Sequence, residues 1–184
     1  IACGELQSMG SPPGKGGFSA GFVAATEEFT VALPGRLIAE TEDWEGARAF
    51  VDLTEEYRGM RPLGNLFSDT VLAAIRFTAY MALLGGAGLR RAALLSHQKA
   101  SLARSEALHR GLSIPTADAF FNEFPIEVHV SPGRLNEMLQ AEGILGGIPV
   151  DPGDPDNRHY LFAFTEMNRD DDIVRLMDVL ERVR

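Results

Sequence analysis

The sequence predicts an α/β fold, and three observations carry that prediction. Between residues 120 and 165 the hydrophobic period changes from two to roughly 3.6 and back, as strand, helix and strand packed in layers require. Ile173, Leu176, Met177, Leu180 and Val183 then recur on one face of a closing helix over about residues 170–183. Apolar residues make up 45% of the 184, enough for an ordinary packed core.

Residues 1–21 read as a strand followed by a glycine loop with Gly10, Gly14, Gly16, Gly17 and Gly21 beside Pro12 and Pro13. Bare backbone N–H groups in such a loop can cradle a phosphate. The spacing argues for a structural turn instead. Gly10 to Lys15 is one residue short of a Walker motif, Gly16 stands where a Mg²⁺-binding hydroxyl is required, and no helix follows. Residues 22–25 read as a short strand, Thr26 as an N-cap before Glu27 and Glu28, and Leu33-Pro34-Gly35 as the stop. Glu40, Glu42, Asp43 and Glu45 cluster around Trp44 in a solvated hairpin returning through Arg48-Ala49-Phe50-Val51; EF-hand spacing is missing.

Pro62 and Gly64 interrupt any period over residues 54–69. Val71, Leu72, Ile75, Thr78, Ala79, Ala82 and Leu83 predict a strongly amphipathic helix. Gly85-Gly86-Ala87-Gly88 breaks it and marks the boundary between two structural regions, a second helix following over about residues 89–109.

Residues 120–130 predict a half-buried strand, with Pro125 placing it at an edge or a bulge. Ser131-Pro132-Gly133 is turn chemistry, and Leu135, Met138 and Leu139 fall at helical spacing before a Gly143 C-cap. Residues 144–150 predict a strand with Gly146-Gly147 in its interior, the signature of a bend or of something approaching the backbone closely. After a polar turn over 151–158, residues 160–165 form the next strand. Asp170, Asp171 and Asp172 suit the positive end of the last helix and read as a cap rather than a metal site.

Charge and residue usage narrow the function classes. With 17 basic and 26 acidic residues the net charge is −9, which opposes nucleic acid and anionic lipid as partners. A single cysteine, Cys3, leaves no internal disulfide, and with no signal peptide or long uninterrupted apolar span expected, the chain reads as cytoplasmic. It begins at Ile1, and something is expected to precede it. His97, His109, His129 and His159 lack the spacing of a zinc site, so no metal is expected. A Schiff-base enzyme would have to use Lys15 or Lys99, and Lys99 sits mid-helix.

Seven motifs occur in one order: Gly4-Glu5-x-Gln7-x-x-Gly10-x-Pro12, Gly16-Gly17-x-x-x-Gly21-Phe22, Leu33-Pro34-Gly35-Arg36-Leu37, Arg48-Ala49-Phe50, Phe120-Phe121-Asn122-Glu123-Phe124, Gly143-Ile144-Leu145-Gly146-Gly147 and Thr165-Glu166-Met167. In that order, over nearly the whole chain, they resemble the C-terminal part of the glycine cleavage system P protein, specifically the alpha subunit of two-subunit forms.

The resemblance implies a fold-type-I pyridoxal-phosphate transferase architecture. Residues 1–69 would be the remnant of a large cofactor domain, 70–110 the connecting helices, and 111–184 a small C-terminal α/β sandwich domain. It further implies that glycine is decarboxylated and its aminomethyl group passed to the lipoyl arm of the H protein. The pyridoxal phosphate and its lysine would belong to the beta subunit, with no cofactor or catalytic residue in this chain. Before the connecting helix the family pattern reads approximately Lys-Ala-Thr-Ser-Asn-Ile-Cys-Thr-Asn. Here it is Arg61-Pro62-Leu63-Gly64-Asn65-Leu66-Phe67-Ser68-Asp69, with only Asn65 identical. The residues expected to face a partner or the active site are Arg61, Asn65, Ser68, Asp69, Asn122, Glu123, Gly146, Gly147 and Glu166. A homo- or hetero-oligomer is expected. The competing reading is a non-catalytic interaction or regulatory module that keeps the small-domain fold.

Overall fold

The structure is a computed structural model, and it describes residues 1–7, 9, 20–33, 37–53, 70–116, 119–154 and 157–184. Most of the glycine loop with Lys15, the Pro34-Gly35 stop and the segment 54–69, including Arg61, Asn65, Ser68 and Asp69, lie outside the described residues. The chain divides into two compact units, Ile1–Leu84 and Gly85–Arg184.

In the first unit, β1 (Ala2–Glu5) pairs antiparallel with β2 (Gly21–Ala24), Ala2 opposite Ala24. The segment expected to be capped by Thr26 forms a 3-10 helix, Glu27–Ala32, whose Phe29 amide bonds the Thr26 carbonyl. β3 (Leu37–Glu42) and β4 (Arg48–Leu53) form a hairpin in full register, Leu37 opposite Leu53. α1 spans Val71–His109 and enters at its start a small core of Leu6, Ala20, Ala73 and Phe77.

The apolar face predicted for the start of α1 is uncovered: Val71, Leu72 and Ile75 are 61–71% exposed, while Ala73 and Phe77 on the same stretch are buried. A helical period shows that a face is apolar; it does not show that the face is covered. The span is also long and apolar enough to cross a membrane by length and composition, although no such stretch was expected. The break is narrower than four residues: Gly85 alone leaves helical geometry, at φ 63 and ψ 175, a conformation strained for any residue with a Cβ.

The second unit is built around a three-stranded antiparallel sheet ordered β5-β7-β6. β5 (Glu123–Glu127) is shorter than expected and leaves Phe120 and Phe121 outside the ladder. It lies at the sheet edge, where Pro125 opposite Leu161 is tolerated without an N–H. Alternation then holds: Phe124, Ile126 and Val128 are buried, as are Tyr160 and Phe162 of β7 (His159–Ala163) and Phe164 beyond it.

α2 (Pro132–Ala141) starts at Ser131, whose Oγ accepts the Arg134 amide, with Pro132 at its first position. It ends as a Schellman motif, the Gly143 amide bonding the Gln140 carbonyl and the Ile144 amide the Leu139 carbonyl. The strand expected over 144–150 contracts to β6 (Ile148–Pro149), with Gly146 and Gly147 in the loop before it. Gly147 has φ 78, and a Cβ there would sit 3.2 Å from both Leu135 and Phe162. The glycine pair therefore makes a bend packed on the Phe162 ring.

α3 (Asp170–Glu181) buries Ile173, Leu176, Met177, Val179 and Leu180 in the same core as Phe124, Phe162 and the α1 residues Ala100, Ala103 and Ala107. The small alanines let the α1 backbone approach closely. Arg110 fastens the end of α1 to α3 through Asp178 and Glu181, with Glu106 beside it. The Asp178 hydrogen bond raises the guanidinium further above its ordinary value, so the charge persists at every accessible pH.

Candidate functional site

Of the residues expected to face a partner, Asn122, Glu123, Gly146, Gly147 and Glu166 are described, and they fall into two groups. Antiparallel pairing of β5 with β7 sets Glu123 opposite Ala163, so Asn122 and Glu123 meet the chain leaving β7. The Asn122 side chain donates to the Phe164 carbonyl at 3.1 Å, and the Phe164 amide donates to the Asn122 carbonyl at 2.8 Å. Two residues on, Glu166 sits in the turn before α3.

That end of the sheet is tied to α1 by two consecutive residues. Ser96 is the one buried polar side chain among the described residues. Its Oγ accepts the Glu166 amide at 3.1 Å and lies 3.0 Å from Glu166 Oε2 and 2.9 Å from the Ala92 carbonyl. One hydroxyl proton serves two acceptors. His97 Nδ1 lies 2.7 Å from the Phe121 carbonyl, which can only accept, so Nδ1 carries the proton; the ring stacks with Phe121 and tilts against Phe120. Lys99, one turn further, pairs with Asp170 at the start of α3.

Gly146 belongs to the second group. With Leu145, Phe162, Phe164, Asn168 and Arg175 it lines an open cleft of about 290 Å³ between the loop after α2 and the start of α3. Arg175 is held by Asp172 at 2.7 Å, and Asn168 Oδ1 caps the Thr165 amide at 2.6 Å. Arg175 and Asp172 thus pair within the cleft, while Asn168 holds the turn before α3. No group of three or more histidine, cysteine or acidic residues converges on a metal position among the described residues.

Sequence reasoning named Glu166 and missed Ser96. A lone serine inside a helix carries no local signal, and its partner lies 70 positions away.

The model of the glycine cleavage system P-protein family matches residues 1–180. The chain belongs to the P-protein family. A protein named "Probable glycine dehydrogenase (decarboxylating) subunit 1" from Desulfitobacterium hafniense is 35% identical over 96% of this chain and 41% of its own length. A protein of the same name from Caulobacter sp. is 37% identical over the whole chain and 42% of its own length. A crystal structure of glycine decarboxylase, the P-protein of the glycine cleavage system, in inhibitor-bound form matches with a TM-score of 0.77 at 34% identity. It covers 99% of this chain and 43% of that one. This member thus spans about two-fifths of the length of the curated relatives it matches.

Pyridoxal phosphate, which the resemblance assigns to the partner subunit, needs a lysine free to condense with its aldehyde and a cradle for its phosphate. The described residues do not fit it. Lys99, the one lysine among them, is on the α1 face that packs toward α3 and is engaged by Asp170.

Proposed function

We propose that this chain acts as the C-terminal part of the alpha subunit of glycine dehydrogenase (decarboxylating), working only in complex with a beta subunit that holds pyridoxal phosphate. In that assembly glycine loses its carboxyl group as carbon dioxide, and the aminomethyl group passes to the lipoyl arm of the H protein. This chain contributes shape and contact surface, and alone it is inactive. The reading includes the division at residues 1–69, 70–110 and 111–184, and a cytoplasmic location.

The observation that carries the proposal is the P-protein likeness, which runs through 99% of the chain at 34% identity and so extends to both compact units. Exposed apolar side chains on the first unit, Leu72 and Ile75 among them, support a role inside a larger assembly.

Co-expression with a beta subunit tests the reading. The chain should co-purify with the beta subunit, and release of labelled carbon dioxide from carboxyl-labelled glycine should require that subunit. If full-length subunit 1 binds the beta subunit and this chain does not, the proposal is wrong for this chain. The non-catalytic module then becomes the better account.

A further inference from the structure

The hairpin of β3 and β4 displays what proteins usually hide. The strands pair along all six positions, and no other described strand or helix packs on them to a comparable extent. A two-stranded hairpin without a third layer is marginal in water. Register nevertheless places Ile38 and Phe50, 67% and 62% exposed, on one face. At the tip, Trp44 is 92% exposed.

The tip is built to hold that ring out. Asp43 Oδ1 accepts the amides of Glu45 and Ala47 at 2.9 Å each, the Asp43 amide donates to the Ala47 carbonyl, and Gly46 takes φ 77 to close the turn. A large aromatic ring on a rigid support is the residue type and the preorganisation that dominate binding energy at interfaces.

Charge says what the partner surface is like. Residues 40–48 hold four exposed carboxylates, Glu40, Glu42, Asp43 and Glu45, against one guanidinium. That guanidinium, Arg48, is occupied by Glu40 at 2.7 Å and by the Phe50 ring at 5.2 Å. This part of the hairpin thus carries a net −3 of the chain's −9, which repels a second copy and attracts a basic surface. Surfaces of opposite charge speed the encounter of separate chains.

We propose that the hairpin is a docking arm for the beta subunit, with Trp44 entering an apolar pocket there whose rim carries arginine or lysine. The inference rests on the reading of this chain as part of subunit 1. It assigns that partner a surface of stated chemistry.

Trp44 is the only tryptophan in the sequence, so 5-fluorotryptophan labelling gives one fluorine NMR resonance that reports this ring alone. On titration with unlabelled beta subunit the resonance should move and broaden. Binding should weaken about tenfold or more in Trp44→Ala and in the double variant Glu42→Lys, Glu45→Lys, and should weaken with added salt. Circular dichroism of both variants should match the parent, since the tip side chains are exposed.

If the wild-type chain binds the beta subunit but the resonance stays put and both variants bind equally, the arm is rejected and the subunit reading survives. No binding by the wild-type chain rejects both. A resonance already shifted in full-length subunit 1 without beta subunit means that the ring is covered by its own chain, which also overturns the proposal.

Discussion

Ser96 and Glu166 hold each other from both directions: the Glu166 amide donates to Ser96 Oγ at 3.1 Å, and Ser96 Oγ can donate to Glu166 Oε2 at 3.0 Å. Ser96→Ala leaves the Glu166 amide without that acceptor beside a buried position, a loss of about 1–3 kcal/mol. A lower urea midpoint with unchanged slope checks it, and Ser96→Thr, which keeps the hydroxyl, should recover part of the loss. An unmoved midpoint in Ser96→Ala would mean that the turn before α3 is not anchored there.

Leu176 and Ile148 make a matched pair. Leu176 is 7% exposed in the α3 core, so Leu176→Ala should cost about 2–5 kcal/mol. Ile148 of β6 is 68% exposed, and Ile148→Ala should fall within about 0.5 kcal/mol of the parent. Equal effects in thermal melts would contradict the side-chain directions of β6.

These two residues also show where the sequence was readable. Ile173, Leu176, Met177 and Leu180 repeat at helical spacing, and the buried face of α3 follows from that period alone. α2 was equally clear, because Ser131, Pro132 and Gly143 are local stop and start chemistry. Residues 144–150 misled, since an apolar run reads alike whether it pairs in a ladder or lies as a loop over one ring. The positive φ at Gly147 and its approach to Phe162 are set by tertiary contact. At the candidate site, Asn122 and Glu166 were named from motifs, while the serine and histidine that tie that end of the sheet to α1 have partners too distant in sequence to be inferred. Arg61, Asn65, Ser68 and Asp69 lie outside the described residues.

Tyr160 gives a pH dependence. Its hydroxyl donates to the Val130 carbonyl at 2.7 Å, and burial raises the phenol above its ordinary value of 10.0. In the unfolded chain the phenol loses its proton near 10, so above that pH the folded state binds more protons and stability falls. The contribution is complete below about pH 10 and disappears as pH rises through the folded value. Tyr160→Phe should lose about 0.5–1.5 kcal/mol at neutral pH with the hydrogen bond, and should flatten the decline in denaturant midpoint between about pH 9.5 and 11.

The apolar face of α1 predicts self-association when no partner is present. Val71, Leu72 and Ile75 are each more than 60% exposed, and apolar area in water costs roughly 25 cal/mol per Å². Light scattering of the purified chain should show a mass above the monomer at high concentration, and Ile75→Glu should lower it. A monodisperse monomer whose solubility and mass are the same in both proteins would rule this out.

The departure from helical geometry at Gly85 bears on how the chain melts. The boundary between the compact units falls at this residue, so neither core includes the other's buried side chains. Among the described residues the first unit has a buried cluster of four and the second one of seventeen, so they should differ widely in the temperature at which they open. Calorimetry should therefore give a total unfolding enthalpy larger than the van't Hoff value taken from its main peak, the mark of more than one cooperative transition. A single free energy of unfolding for all 184 residues would then describe no physical equilibrium of this molecule.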